Sequence, residues 1–323
     1  MVVPAVHSSS PDIKIDARRL YRIFGSTRAV NDVSFEVGAG QVYGFIGPNG
    51  AGKTTTMRIL STLDLPDYGD ALVDGFSVIN DPDRVRRRLG FMPDGFGTYP
   101  NMTCIEYLDF FARAYGIIGR ERMRTLRFTL AYTGLDKIAE KPVRSLSKGM
   151  RQRLCLGRAM IHNPTVLILD EPANGLDPRA RIELRNMLRG LAQQGKALLV
   201  SSHILTELGE MCDAIGIIEQ GKLIVTGTVT EIRRQLQPQV TVRVHLLGRG
   251  EELAAWLQRR GEPIHAVSAS AENVEFKLSG DDPQARHQLL QQMIEERFPV
   301  VDFSAQRSTL EDVFMHLTTG AVQ

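Results

Sequence analysis

Cysteine is scarce in this chain: there are three in 323 residues, Cys104, Cys155 and Cys212. They are odd in number and far apart. Neither a disulfide framework nor a metal-ligand spacing emerges, and a reducing cytosol is the expected compartment. Long apolar runs are missing as well. No stretch approaches the ~18 uninterrupted apolar residues of a spanning helix, so any membrane role must use a separate partner. Nor is there an excess of one charge. Lys and Arg number 39 against 37 Asp and Glu. That balance gives no strong pull toward nucleic acid or an acidic partner. MVVPAVHSSS at the start lacks a basic region and a long apolar core, so residues 1–11 read as a disordered tail rather than a signal peptide. No internal repeat or low-complexity segment is present.

What remains is ordinary globular composition, 43% hydrophobic and 24% charged, in a length that suggests about two domains. One stretch stands out, GPNGAGKT at 47–54. It fits G-x-x-x-x-G-K-[ST], and average residue usage puts a chance match at about one in a hundred. It lies between an apolar strand (VYGFI) and the start of a helix (TTMRIL), the setting in which the motif is trusted. The residue types follow from phosphate chemistry. Gly47, Gly50 and Gly52 let backbone N–H groups curl around a polyphosphate with no Cβ in the way. Pro48, Asn49, Ala51 and Thr55 complete that wrapping, and the helix N-terminus favours an anion. Lys53 would reach the β- and γ-phosphates, and the Thr54 hydroxyl would ligate Mg²⁺.

The rest of the chain alternates strands and helices. Residues 13–16 and 33–37 alternate as strands, with LYRIFG between them. LPDYGD reads as a turn before a short strand, ALVDG. RVRRR at 84–88 sits in a short helix, either as a solvated face or as a contact for phosphate or a lipid headgroup. LGFM is a strand that ends at Pro93 and Asp94. From 103 to about 135 apolar residues recur at three- and four-residue spacing, which marks a helical insertion of core-filling type. SLSKGMRQRLCLGRAMIH gives a cap and a helix. VLIL is a buried strand followed by Asp170 and Glu171. NGLDP leads into a helix with Asp177 at its N-cap and Pro178 at its first position. ALLV is a further strand, ending in Ser201-Ser202-His203. EQGK turns a hairpin. QLQPQ at 235–239 is the linker candidate, so a second domain is expected at 238–323. Its element order β-α-β-β-α-β is ferredoxin-like, with a last helix at 310–317.

Four predicted strands thus end in polar residues: the phosphate loop, Asp94, Asp170 with Glu171, and His203. In open parallel sheets, ligands bind at the carboxyl ends of strands, so one site can collect all four. Asp170 suits Mg²⁺, usually through water. Glu171 could polarise or position an attacking water. His203 could hold the γ-phosphate or that water. Ser147 and Gly149 open a helix whose free N–H groups could grip a phosphate.

GPNGAGKTT, LSKGM, VLILDEP, GLDP and a late His, in this order, resemble the nucleotide-binding subunit of an ATP-binding cassette (ABC) transporter over about 12–237. The resemblance implies an α/β P-loop cassette with an antiparallel β part and a helical subdomain at about 95–145, followed by a small α+β accessory domain. It implies MgATP hydrolysis for a separate transmembrane permease, with the chain cytoplasmic on the inner membrane face. The alternatives are a soluble ABC-type ATPase acting on DNA or the ribosome and a non-hydrolysing ATP-dependent scaffold. The single cassette, the lack of a long coiled coil and the neutral net charge argue against the first, so no nucleic acid partner is expected. The resemblance also implies two cassettes paired head to tail, a homodimer. Each ATP is then held between one subunit's phosphate loop and the other's LSKGM, with Asp177 also among the nucleotide-site residues. Phe24 falls where the family stacks an aromatic ring on adenine, or it is a core residue. Two positions depart from the family pattern. LSKGM keeps Ser147 and Gly149 of the usual LSGGQ but carries Lys148 and Met150. Asp94 stands where the family has a Gln that touches Mg²⁺, or it is a solvated turn residue. With the accessory domain, these departures resemble bacterial exporter ATPases.

Overall fold

The computed structural model describes residues 12–95, 97, 99, 101–204, 209, 211–235, 239–280 and 282–307. The tail at 1–11, the linker core at 236–238 and the helix expected at 310–317 lie outside the described residues. The chain divides into two compact units after Val229.

The first unit holds two sheets. One is built on a long hairpin, β1 (Ile13–Phe24) and β2 (Thr27–Gly38), joined by β4 (Tyr68–Val73) and β5 (Phe76–Ser77) in the order β2-β1-β4-β5. The other contains β3 (Val42–Ile46), β6 (Leu89–Met92), β7 (Val166–Leu169), β8 (Ala197–Ser202), β9 (Ala214–Glu219) and β10 (Lys222–Thr228). Its order is β10-β9-β3-β8-β7-β6. All its pairings are parallel except β9 with β10. Every residue of β3, β7 and β8 is buried. Strands covered on both faces read as unbroken apolar runs, which is why these were visible in the sequence. Phe35 of β2 stacks on Tyr43 and leans on Phe45, with ring centroids 5.2 and 5.4 Å away, so the two sheets share one core.

Helix α1 (Lys53–Leu60) follows β3 directly, and α2 (Pro82–Arg88) precedes β6. The expected helical insertion is two helices, α3 (Cys104–Ala114) and α4 (Gly119–Tyr132). Thr103 and Glu106 close a reciprocal capping box at the start of α3, which satisfies two otherwise orphaned donors. These helices pack with α5 (Lys148–Met160) around their own core of Tyr107, Leu108, Leu126, Leu130 and Leu154. Helix α6 (Pro178–Gln193) starts as the sequence implies: the Asp177 carboxylate accepts from the Ala180 N–H at 2.9 Å. Among the described residues no helix is long and apolar enough to cross a membrane.

Helix α7 (Val229–Gln235) leads into the second unit. It comprises β11 (Gln239–Leu246), α8 (Gly250–Arg260), β12 (Ile264–Ala269), β13 (Asn273–Ser279), α9 (Pro283–Glu295) and β14 (Val300–Arg307). The strands pair antiparallel in the order β12-β13-β11-β14, the ferredoxin-like arrangement. Alternate residues Val240, Val242, Val244 and Val274, Phe276, Leu278 face a core shared with Leu253, Leu257, Leu289 and Met293 of the two helices.

Candidate active site

Strands β3, β8, β7 and β6 are consecutive neighbours and run parallel. Their carboxyl ends therefore lie side by side, and the four polar ends expected from the sequence become one site. The phosphate loop is forced into its path by sterics. A Cβ on Gly47 would sit 2.2 Å from the Ile218 carbonyl oxygen. One on Gly52 would sit equally close to the Ala29 carbonyl oxygen, and Gly52 holds φ at 102°. Both obstacles are backbone, so neither can swing aside. Gly47→Ala is expected to displace the loop from β9 and abolish measurable ATP binding while the second unit stays folded. Equilibrium dialysis with labelled ATP checks this, and wild-type affinity would refute it.

The Lys53 ammonium is 5% exposed. It donates to the Gly47 carbonyl at 2.7 Å and the Pro48 carbonyl at 3.1 Å, and lies 3.5 Å from Glu171 Oε1. Burial pulls its pKa down, and the Glu171 and Asp170 carboxylates pull it back up. Thr54 Oγ1 donates to Asp170 Oδ2 at 2.8 Å. Asp170 is buried, which raises its pKa, while hydrogen bonds from Ser201 and Thr54 lower it. The negative charge of Asp94, an exposed residue just past β6, is felt at Asp170 and pushes the same way as burial. Glu171 Oε2 pairs with His203 Nδ1 at 2.8 Å. An ionised carboxylate can only accept, so Nδ1 carries the hydrogen there. Glu171 also has a left-handed backbone, φ 49°, which residues other than glycine rarely adopt.

Ser201 was missed as a site residue. Its hydroxyl donates to Asp170 Oδ1 at 2.6 Å and accepts from the Glu171 N–H at 2.8 Å. It fixes the Asp170 carboxylate and, through the N–H, the unusual Glu171 backbone. Sequence reading ended the strand at Val200, yet β8 runs to Ser202. With Ser201 inside the strand, its two-residue separation from His203 was the available signal, since side chains of a strand alternate.

Ser147 and Asp177 form a second grouping, at the N-termini of α5 and α6. Ser147 Oγ accepts from Met150 N–H at 3.3 Å. A Cβ on Gly149 would lie 3.1 Å from the Ala180 side chain, so the two helix starts pack closely. Lys148 folds along Gly175, in the turn before α6. Phe24 is 49% exposed at the end of β1, with the Arg22 guanidinium 4.7 Å from its ring centroid. It is a surface ring, not a core one.

The hard oxygens of Thr54 and Asp170, held together at 2.8 Å, fit Mg²⁺. Among the described residues no cluster of three His, Cys, Asp or Glu could cage a metal.

Residues 30–174 match the ABC transporter family, and residues 227–318 match the C-terminal domain of DrrA1-3-like ATP-binding proteins. The chain is 33% identical to the daunorubicin/doxorubicin resistance ATP-binding protein DrrA of Streptomyces peucetius, over 96% of this chain and 94% of the relative. It belongs to the ABC transporter ATP-binding proteins. The Nod factor export ATP-binding protein I of Ralstonia nicotianae is also 33% identical, with the same coverage. The linearmycin resistance ATP-binding protein LnrL of Bacillus subtilis is 29% identical over 94% of this chain and 98% of the relative. A solved ATP-binding subunit of an ABC transporter superposes with a TM-score of 0.63 at 31% identity, covering 68% of this chain and 92% of that one. The chain is therefore an ABC ATPase, which binds ATP and hydrolyses it in the service of transport.

Proposed function

We propose that the chain is the motor subunit of an exporter, peripheral on the cytoplasmic face of a membrane. It drives a separate permease and works as a dimer of two cassettes. The observation that carries this reading is the single cluster of Lys53, Thr54, Asp170, Glu171 and His203 at adjacent strand ends. The roles are distinct. The phosphate loop and Lys53 hold the β- and γ-phosphates. Thr54 and Asp170 would hold Mg²⁺, which when bound neutralises charge on the phosphate oxygens. Glu171 orients the attacking water, and His203 holds Glu171 and the γ-phosphate side of the site. Ser147, Gly149 and Asp177 meet the ATP bound by the partner cassette, and Phe24 offers its free face to adenine. Export rather than import is supported by the relatives named for resistance and for Nod factor export. The near-neutral charge supports a permease partner rather than nucleic acid. Phosphate release by the purified chain, stimulated in vesicles that carry a cognate permease, tests the proposal. Stimulation by DNA or RNA instead would overturn it.

Asp94 takes the place of the family's glutamine. A carboxylate binds Mg²⁺ more strongly than a neutral amide but is one methylene shorter, so it acts through water or from a closer loop. Asp94→Ala is expected to raise the Mg²⁺ needed for half-maximal hydrolysis and to weaken the response to the permease, with ATP affinity in the absence of Mg²⁺ unchanged. Asp94→Gln restores part of both. Superimposable Mg²⁺ titrations of wild type and Asp94→Ala would remove Asp94 from the site.

A further inference from the structure

Strand β6 ends two residues before Asp94, and it is the outer strand of its sheet. On its inner side Arg88 O and Met92 O accept from the Thr165 and Asp170 N–H groups at 3.0 and 2.8 Å. Carbonyls alternate along a strand, so Leu89 O and Phe91 O point away from the sheet, where no further strand among the described residues pairs with them. Both find partners on the segment that begins with LSKGM. His162, two residues beyond α5, places Nε2 3.1 Å from Leu89 O. Arg158, in the last turn of α5, reaches Phe91 O at 3.5 Å. Between these two contacts the strand and helix touch: a Cβ on Gly90 would lie 2.0 Å from the Ala159 carbonyl oxygen.

His162 is not there merely to fill space. A carbonyl accepts only, so its Nε2 carries the hydrogen and Nδ1 keeps a lone pair. That Nδ1 is buried with no hydrogen-bond partner among the described residues. A leucine would pack in this position without such an orphan. What the imidazole adds is the donor to Leu89 O, together with a flat face stacked on Tyr115 at the end of α3, centroids 3.8 Å apart and planes within 7°. Burial and the nearby Lys196 ammonium hold the ring neutral, with its pKa pushed down to about 4.

We infer that His162, aided by Arg158, is a positioning residue that fastens the end of α5 to the free edge of β6, and so sets where Asp94 stands relative to Asp170. The seam ties the helix opened by Ser147 and the end of α3 to the strand that leads to Asp94. The inference rests on the reading of Asp94 given above. The test compares His162→Leu, His162→Gln and Asp94→Ala in the full chain. His162→Leu removes the donor and keeps the bulk. His162→Gln keeps an N–H that can reach Leu89 O. ATP affinity is measured by equilibrium dialysis with and without Mg²⁺, beside Mg²⁺ titrations of hydrolysis. His162→Leu is expected to lose about fivefold of the Mg²⁺-dependent gain in affinity, the scale of one hydrogen bond. Binding without Mg²⁺ stays at the wild-type level, and His162→Gln recovers most of the gain. A general folding defect would weaken both kinds of binding alike and would refute the inference, as would failure of the glutamine variant to rescue. If Asp94→Ala changes the Mg²⁺ dependence and His162→Leu does not, the seam fails while the Asp94 assignment stands. If Asp94→Ala changes nothing, both fail.

Discussion

Glu171→Gln is expected to bind ATP with near wild-type affinity and to release phosphate about 10²–10⁴-fold more slowly, the range that a positioned acid–base group contributes. The substitution is close to isosteric, so packing does not confuse the result. It acts on two contacts. In the wild type, one carboxylate oxygen faces Lys53 at 3.5 Å and the other faces His203 at 2.8 Å. The introduced amide can turn its oxygen to Lys53 and its NH₂ to His203, provided the imidazole moves its hydrogen from Nδ1 to Nε2. Structure is thereby preserved, while the acceptor that orients water and later takes a proton is gone. Binding depends on Lys53 and the phosphate loop, so it survives. An ATP-bound dimer should then accumulate and be seen by size-exclusion chromatography with ATP. Turnover at the wild-type rate would remove Glu171 from the chemistry and leave Asp170 as the nearest alternative.

The legibility of this site followed burial. The strands β3, β6, β7 and β8 were visible because nearly all of their residues are buried, so the sequence shows short apolar runs with polar residues at their ends. The antiparallel sheet was harder. The sequence pattern places LYRIFG between two short strands, yet β1 runs through it to Phe24. Its register shifts twice between Ala17 and Tyr21, and Arg19 adopts φ 49°. Such bulges break the two-residue alternation by which a strand is recognised. The same bulge explains why Tyr68 to Asp70 looked like a turn. Gly69 sits opposite it with φ 83°, and a Cβ there would strike the Arg19 carbonyl oxygen at 2.1 Å. That glycine belongs to a strand pairing, although glycine beside Asp and Pro reads as a turn. The insertion at 103–135 was legible as helical, but not its break at Tyr115 to Ile118. Ser201 was hidden because a serine after an apolar run looks like the end of a strand. Only the partner strand β7, placing Asp170 alongside, turns it into a bridge.

Lys53→Ala should act at the opposite step from Glu171→Gln. It is expected to weaken ATP binding itself, by about one to two orders of magnitude for each charged hydrogen bond to phosphate that is lost, at ~1.5–3 kcal/mol apiece. The buried position makes the loss large. A lysine only 5% exposed has already given up most of its hydration, and burial lowers its pKa. An incoming polyphosphate supplies the opposite charge that such a site lacks, so little further desolvation opposes the contact. Without nucleotide, the ammonium is held by the Gly47 and Pro48 carbonyls and faces Glu171. Its removal therefore also takes a donor from both carbonyls, of which Pro48 O keeps the Ala51 N–H at 3.2 Å, and leaves the Glu171 carboxylate with His203 as its close partner. Some slackening of the phosphate loop adds to the loss of affinity. The distinguishing measurement is the thermal midpoint with and without ATP. Ligand binding to the folded state raises that midpoint by mass action. Glu171→Gln should keep the full ATP-dependent rise with almost no turnover. Lys53→Ala should lose most of the rise at the same ATP concentration. Equal rises in the two variants would mean that Lys53 is not the principal phosphate contact, and that the backbone of the phosphate loop alone holds the nucleotide.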